Sequence, residues 1–292
     1  GAAAAVLAPL ALAFAGAAVL LALAGLDPVE VYRLLIVESF GGARRVAATL
    51  SAATPLILTG LATAIAFRAG AFNVGVEGCV YVGGLAAAYV GFAYAGTPAP
   101  VLLPAALLAG LAAGSAWMLV PGVLKARLSV DEVVTTLMLN FVAISFTAYL
   151  VNGPLLAPGS ANSATPVVDA AARLPRLMPP STLNAGFLIA VGLLVLYWLW
   201  GRRTALGFET RLAGLNPRFA LASGIDVPGL IIRMMLLSGA IGGLAGAVHA
   251  LGNVGRFVSG FSPGYGFTGI AVALLGRGTP LGIFLAAILF GA

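Results

Sequence analysis

Along this chain apolar residues run for some twenty positions at a time, broken by short stretches rich in glycine, proline or charge. The runs fall at residues 4–26, 46–67, 79–95, 101–120, 133–151, 185–200 and 229–251. Each is close to the ~20 residues that a helix needs to cross ~30 Å of hydrocarbon. Two further runs, 267–275 and 281–292, close the chain, and the first is too short to span, which predicts a broken or half helix. Strands of a membrane barrel would alternate in short segments instead. The pattern therefore predicts an all-α, polytopic membrane helix bundle, one transmembrane domain over residues 1–292, with about ten transmembrane helices in the whole protein.

Composition agrees with that reading. Hydrophobic residues make up 61% and charged residues 8% of the 292 positions, against about a quarter charged in an ordinary soluble domain. The first run is longer than a secretory h-region and has no charged segment before it, so it is read as a retained first helix. The chain opens on Gly1 and stops inside an apolar run, so both ends read as trimmed. The single cysteine, Cys79, leaves no internal disulfide and no cysteine metal cluster to expect.

Charge sets the expected topology. With the N-terminus inside, cytoplasmic segments hold Arg68, Lys125, Arg127, Arg202, Arg203, Arg211, Arg218 and Arg277, and outer segments hold fewer basic residues near the helix ends. The net charge of +6 then follows from topology. Because no basic stripe lies on one element, nucleic acid is not expected as a partner. Residues 152–184, rich in proline, are expected as an irregular extracytoplasmic loop with one short helical piece around 167–174.

Polar residues inside or beside the greasy runs are the candidates for function. In AFRAGAFNVGVEGC, residues 66–79, Arg68 reads as a positive flank, while Asn73 and Glu77 are spaced four apart and share a face if the segment is helical. They are expected to form a polar hinge between two helices, either bracing them or lining the inner part of a translocation path. Thr136 and Asn140 share a face of the 133–151 helix, where interhelical bonding and pore lining account for them equally well. His249, the sole histidine, is a packed or interfacial residue or faces the path. Phe257, Phe261, Tyr265 and Phe267 surround GFSPGYG, where they form an outer aromatic belt or stack on a ring of the substrate. Gly239, Gly242, Gly243 and Gly246 predict a packing seam.

The segment 201–228, GRRTALGFETRLAGLNPRFALASGIDVP, is expected on the cytoplasmic side. Asn216 is an N-cap, Pro217 suits the first helical position, and Gly224 supplies a left-handed stop, which predicts a two-turn helix over 217–223. So short a helix is marginal unless it docks. Ala220 and Ala222 allow close approach, and Arg218 and Phe219 offer a charge and an anchor. It is read as a docking knob for a cytoplasmic partner or as a surface helix at the lipid headgroups.

Four stretches carry a resemblance to a known family: PLILTGLATAIAFRAGAFNVGVEG at 55–78, DEVVTTLMLNFVA at 131–143, GLNPRFALASGIDV at 214–227 and GYGFTGIAVALLGRGTPLGI at 264–283. They resemble permease subunits of bacterial ABC importers for simple sugars and nucleosides, within the group that also includes branched-chain amino-acid permeases. The chain departs from that pattern with Cys79 where glutamine often follows Glu-Gly, and with Asp131 where asparagine is usual. The resemblance implies an inner-membrane importer half. It would pair with a second permease subunit, homo- or heterodimeric, with ATP-binding cassette subunits and with an extracytoplasmic substrate-binding protein. It also implies that Gly214, Asn216, Pro217, Arg218, Phe219, Ala220, Ala222 and Gly224 belong to a coupling helix seated in the ATPase.

The chain itself holds no P-loop, since its only lysine, Lys125, lies between Leu124 and Ala126 without the required Gly-Lys-Ser/Thr. It is read as non-enzymatic, with no cofactor and no metal. Two other classes remain. An ion-driven transporter would want an intramembrane carboxylate site, whereas Glu77, Asp131 and Glu132 lie at helix ends. An intramembrane hydrolase would need more than Ser259 and His249, which have no acid to orient them.

Overall fold

The computed structural model describes residues 2–159 and 162–292. Among these the structure is helical: α1 (Ala2–Leu23), α2 (Pro28–Phe40), α3 (Ala43–Arg68), α4 (Val76–Ala93), α5 (Ala99–Leu128), α6 (Glu132–Asn152), α7 (Gly186–Arg203), α8 (Ala205–Leu215), α9 (Pro217–Ala222), α10 (Val227–Val248), α11 (Tyr265–Leu275) and α12 (Pro280–Gly291). Six of the described helices are long and apolar enough to cross a membrane, α3 to α7 and α10 with the π-helical turn His249–Val254 that extends it. Three shorter apolar stretches, Ala11–Leu23, Tyr265–Leu275 and Pro280–Gly291, stand beside them. With 11 residues, α11 is only about 16 Å long, half of what a span requires.

Two helices lie where none was expected. α2 begins at Asp27-Pro28, with the Asp27 side chain accepting from Val29 N, the same start code as Asn216-Pro217. α8 turns what was read as a simple loop into a hairpin with α9. Its N-cap Thr204 accepts from Gly207 N at 3.0 Å.

α3, α4 and α10 form the buried centre, and α5, α6 and α7 lie outside them with one face open. The threonines of α3 enter that centre because each hydroxyl donates to the carbonyl four residues back: Thr54 to Leu50, Thr59 to Pro55 and Thr63 to Thr59. The expected glycine seam is present on α10. A Cβ on Gly243 would lie 2.2 Å from Gly110 O, and one on Gly246 would lie 2.0 Å from Val80 O, so α10 touches α5 and α4 backbone to backbone. Small residues permit this close approach where lipid supplies no hydrophobic drive between helices.

The stretch between α6 and α7 is pinned to the end of the bundle opposite Arg68. Thr165 N donates to Phe257 O, Val168 N to Gly255 O and Leu174 N to Leu251 O. Its one helical piece is the 3-10 turn Ala170–Ala172, inside the window expected from sequence. Asp169 caps that turn and also accepts from Gly96 N. These two N–H donors hold its carboxyl below the usual aspartate range.

Candidate functional site

α3, α5 and α7 all finish in basic last turns, at Arg68, at Lys125 and Arg127, and at Arg202 and Arg203. This defines a basic end of the bundle, where cations also complement the helix dipoles. From Arg68 the chain does not leave the bundle. Residues 71–74 belong to no helix, with Asn73 N turning back onto Ala71 O, and lead back among the helices before α4 starts at Val76. Gly78 touches Asn140, which lies eight residues, about 12 Å, along α6 from Glu132. Asn73 is 0% and Glu77 2% exposed.

A non-helical segment inside a greasy bundle must find partners for its backbone. Here polar side chains supply them. Phe72 N donates to Glu132 Oε1 at 3.2 Å and Val74 N to Thr136 Oγ1 at 3.2 Å. Asn140 works in both directions, its amide donating to Val74 O at 2.9 Å while its carbonyl accepts from Gly78 N at 2.8 Å. Asn73 accepts from Gly75 N at 2.7 Å and donates to Ser238 Oγ on α10 at 2.8 Å. Glu132 is held in turn by Lys125 Nζ at 2.6 Å, across a turn in which Ser129 is left-handed at φ 52°.

Glu77 closes the far side of the break. Its Oε2 accepts from Gly266 N at 2.6 Å, joining the start of α4 to the start of the half-length α11. A Cβ on Gly266 would lie 2.2 Å from Glu77 N. Two helices thus begin inside the bundle, face to face, with one carboxylate between them.

The expected side chains are sorted by this geometry. Asn73, Glu77, Thr136 and Asn140 do converge on one place. Asn73 and Glu77 do not share a helical face, because 71–74 is not helical; Asn73 turns to Ser238 on α10 and Glu77 to Gly266 on α11. Arg68 does not pair with Glu77. Its Nη2 donates to Gly201 O at 3.1 Å, and its guanidinium lies 5.8 and 5.4 Å from the Tyr197 and Trp200 rings. His249 begins the π turn near Asn253 and makes edge contacts with Phe261 and Tyr265, both at 5.0 Å. Phe267, the residue after Gly266, is exposed. Neither Phe257 nor Phe261 forms a belt or an open stacking face. They are 1% and 3% exposed and stack on each other at 4.4 Å against Tyr81.

Sequence reasoning missed Lys125, Glu132 and Ser238. The legible signal for the first two was the sole lysine and a carboxylate on either side of one tight turn. Ser238 is a lone hydroxyl in a glycine seam.

The second part of the site is the hairpin α8–α9. α9 ends at Ala222 rather than Ser223. Asn216 Oδ1 accepts from Phe219 N at 3.0 Å, and Gly224 is left-handed at φ +82°. Ala220 is buried with Ala213, Val227 and Leu230, while Arg218, Phe219, Leu221 and Ala222 face outward. The knob is therefore seated on its own hairpin and on α10, with its outer face open. Gly214 is the point where the hairpin meets the break. A Cβ there would lie 2.2 Å from Arg68 O and 3.3 Å from Gly70 N, and Gly70 is itself left-handed at φ +79°. Backbone rests on backbone at this point, so a shift of the hairpin toward α3 bears on the base of the 69–75 segment.

A bundle of apolar helices in which two helices begin inside, with a capped, outward-facing hairpin at its basic end, is the architecture expected of a membrane transport subunit. The sequence matches the family described as "Branched-chain amino acid transport system / permease component" over residues 45–292. The chain belongs to that family and is the permease subunit of an ABC-type importer. Similar proteins include the guanosine ABC transporter permease protein NupP of Bacillus subtilis, 39% identical over 96% of this chain and 81% of the relative. The nucleoside ABC transporter permease protein NupB of Lactococcus lactis is 35% identical over 94% of this chain and 78% of its own length. The glucose ABC transporter permease protein TsgB13 of Haloferax volcanii is 36% identical over 90% and 72%. No solved structure matches.

Proposed function

We propose that this permease moves nucleosides, with simple sugars as the alternative, by alternating access driven from a separate ATPase. The observation that carries the mechanism is the Gly214 contact on Arg68 and Gly70. ATP-dependent closure of partner subunits on α9 moves the hairpin, and the hairpin moves the base of the broken segment at 69–75. That segment bears on Thr136, Asn140 and Glu77, and these with Asn73 form the inner gate of the path, with His249 farther toward its outer side. Coupling runs through Gly214, Asn216, Pro217, Arg218, Phe219, Ala220, Ala222 and Gly224.

The same reading places the basic end and the N-terminus in the cytoplasm and the α6–α7 loop outside, against a binding protein. Together with the shorter apolar helices the whole protein makes about ten passages. The substrate assignment rests on the likeness to the guanosine and nucleoside permeases. An ion-driven mechanism is disfavoured because Glu77 is bound to Gly266 N and Glu132 to both Lys125 and Phe72 N, which leaves no open carboxylate site at either position.

Uptake by cells carrying the complete transporter tests the assignment. Labelled guanosine should enter faster than ribose, glucose or leucine, stop on ATP depletion and persist under a protonophore. Uptake that stops with the protonophore and ignores ATP depletion refutes the mechanism, and a preference for leucine or glucose refutes the substrate.

A further inference from the structure

At the basic end, outside the break and the coupling contact, a cavity of about 520 Å³ opens between the inner ends of α3, α7, α8 and α11. Three arginines from three different elements line it: Arg68, Arg211 and Arg277. No carboxylate belongs to its lining. Its floor is apolar, with Ala64 and Leu274, and Tyr197 stands at its wall.

The three cations are unevenly satisfied. Arg68 is half spent on Gly201 O and on the Tyr197 and Trp200 rings, while its Nε is buried with no partner. Arg211 and Arg277 are exposed and have no ion pair or hydrogen-bond partner among the described residues. Arg277 holds this place from a left-handed backbone, φ 52°, in the tight turn between α11 and α12. Cations gathered around one cavity repel one another unless an anion joins them, and planar guanidinium groups match phosphate geometry.

A second cavity adjoins the first through their common residue Thr279. It is a groove of about 490 Å³ between α7 and α12, lined by Leu194, Val195, Leu281 and Phe284. At its mouth Arg202 lies 5.1 Å from the Trp198 ring, the pairing of aromatic and cation found at headgroup depth. A basic pocket continued by an apolar channel has the shape and polarity of a phospholipid.

We propose that Arg68, Arg211 and Arg277 bind the phosphate of an anionic phospholipid whose acyl chain lies in the groove between α7 and α12. Arg211 belongs to the coupling hairpin, Arg68 to the base of the break and Arg277 to the α11–α12 turn, so one headgroup ties together the three parts that meet at this end. A soluble phosphate shares the headgroup chemistry but has nothing to place in the groove.

Native mass spectrometry of the delipidated, complete transporter, titrated with dioleoyl phosphatidylglycerol and with the phosphatidylcholine analogue, tests this. Phosphatidylglycerol should bind more tightly than phosphatidylcholine. Arg211→Gln and Arg277→Gln should each weaken it about fivefold, with phosphatidylcholine binding unchanged, and Arg211→Lys should keep most of the affinity. Glycerol 1-phosphate or inorganic phosphate at equal concentration should displace none of it. Equal binding of the two lipids, or undiminished phosphatidylglycerol binding in the double glutamine variant, overturns the site. Displacement by the soluble phosphates overturns its assignment to lipid. Arg68 is left intact, since its loss also releases Gly201.

Discussion

Gly214→Val is expected to impair coupled transport strongly while leaving the bundle assembled. The added atoms meet the carbonyl oxygen of Arg68 at 2.2 Å from the Cβ position, and that oxygen is backbone, which cannot swing aside. Either the hairpin lifts or the base of the 69–75 segment is pushed away. Overpacking of this kind costs about 1–3 kcal/mol, roughly 5- to 150-fold in the population of the seated hairpin. The buried glycine contacts of α10 lie elsewhere, so membrane insertion and yield should stay near those of the parent. Substrate uptake should fall by about that factor, and ATP hydrolysis should lose its dependence on the loaded binding protein. Gly214→Ala should be intermediate. Full uptake by the valine variant at normal abundance is the contrary result.

Asn140→Leu is expected to have the larger effect on folding. Asn140 is the one side chain that serves two backbone groups of the break, Val74 O and Gly78 N, and it is 1% exposed. Leucine strands both. Each buried group left without a partner costs about 1–3 kcal/mol, so about 2–6 kcal/mol in all, comparable to the whole stability of many domains. The measurable consequence is loss of full-length protein from the membrane, or a thermal transition lowered by many degrees in detergent. Asn140→Asp, held neutral by burial, keeps an acceptor for Gly78 N and an O–H that can donate to Val74 O, so it should recover part of the loss. A leucine variant as stable as the parent would mean that the break has other partners.

How much of this could be read from the chain depends on whether a residue's partners are local. Caps are local: Asn216-Pro217 and Gly224 announced α9 to within one residue. The same code at Asp27-Pro28 and at Thr204 announced α2 and α8, which were passed over because neither helix is a long apolar run. Glycine spacing on α10 gave its seam, since only close approach explains four glycines on one helix. The non-helical 71–74 segment is not legible in the sequence. Its stability comes from Glu132, Thr136, Asn140 and Ser238, distant in sequence, and the spacing of Asn73 and Glu77 has meaning only if the intervening backbone is helical. Phe257 and Phe261 were misread for a related reason, because an aromatic near the end of a span looks the same in sequence whether it faces headgroups or a core. Arg68 reads as an ordinary flank until the fold sets it beside Arg211 and Arg277.

The central claim is mechanical: the hairpin carrying α9 and the base of the broken segment move as one piece. In a Cys79→Ala background, spin labels at Leu221→Cys and Phe72→Cys, both at exposed positions, report the distance across that piece. A third label at Tyr149→Cys, exposed toward the far end of α6, reports its motion against the rest of the bundle. In the assembled transporter, pulsed dipolar spectroscopy should find the Leu221 to Phe72 distance the same with and without trapped ATP, while the Leu221 to Tyr149 distance changes. A change between Leu221 and Phe72, with Leu221 to Tyr149 fixed, would contradict the account.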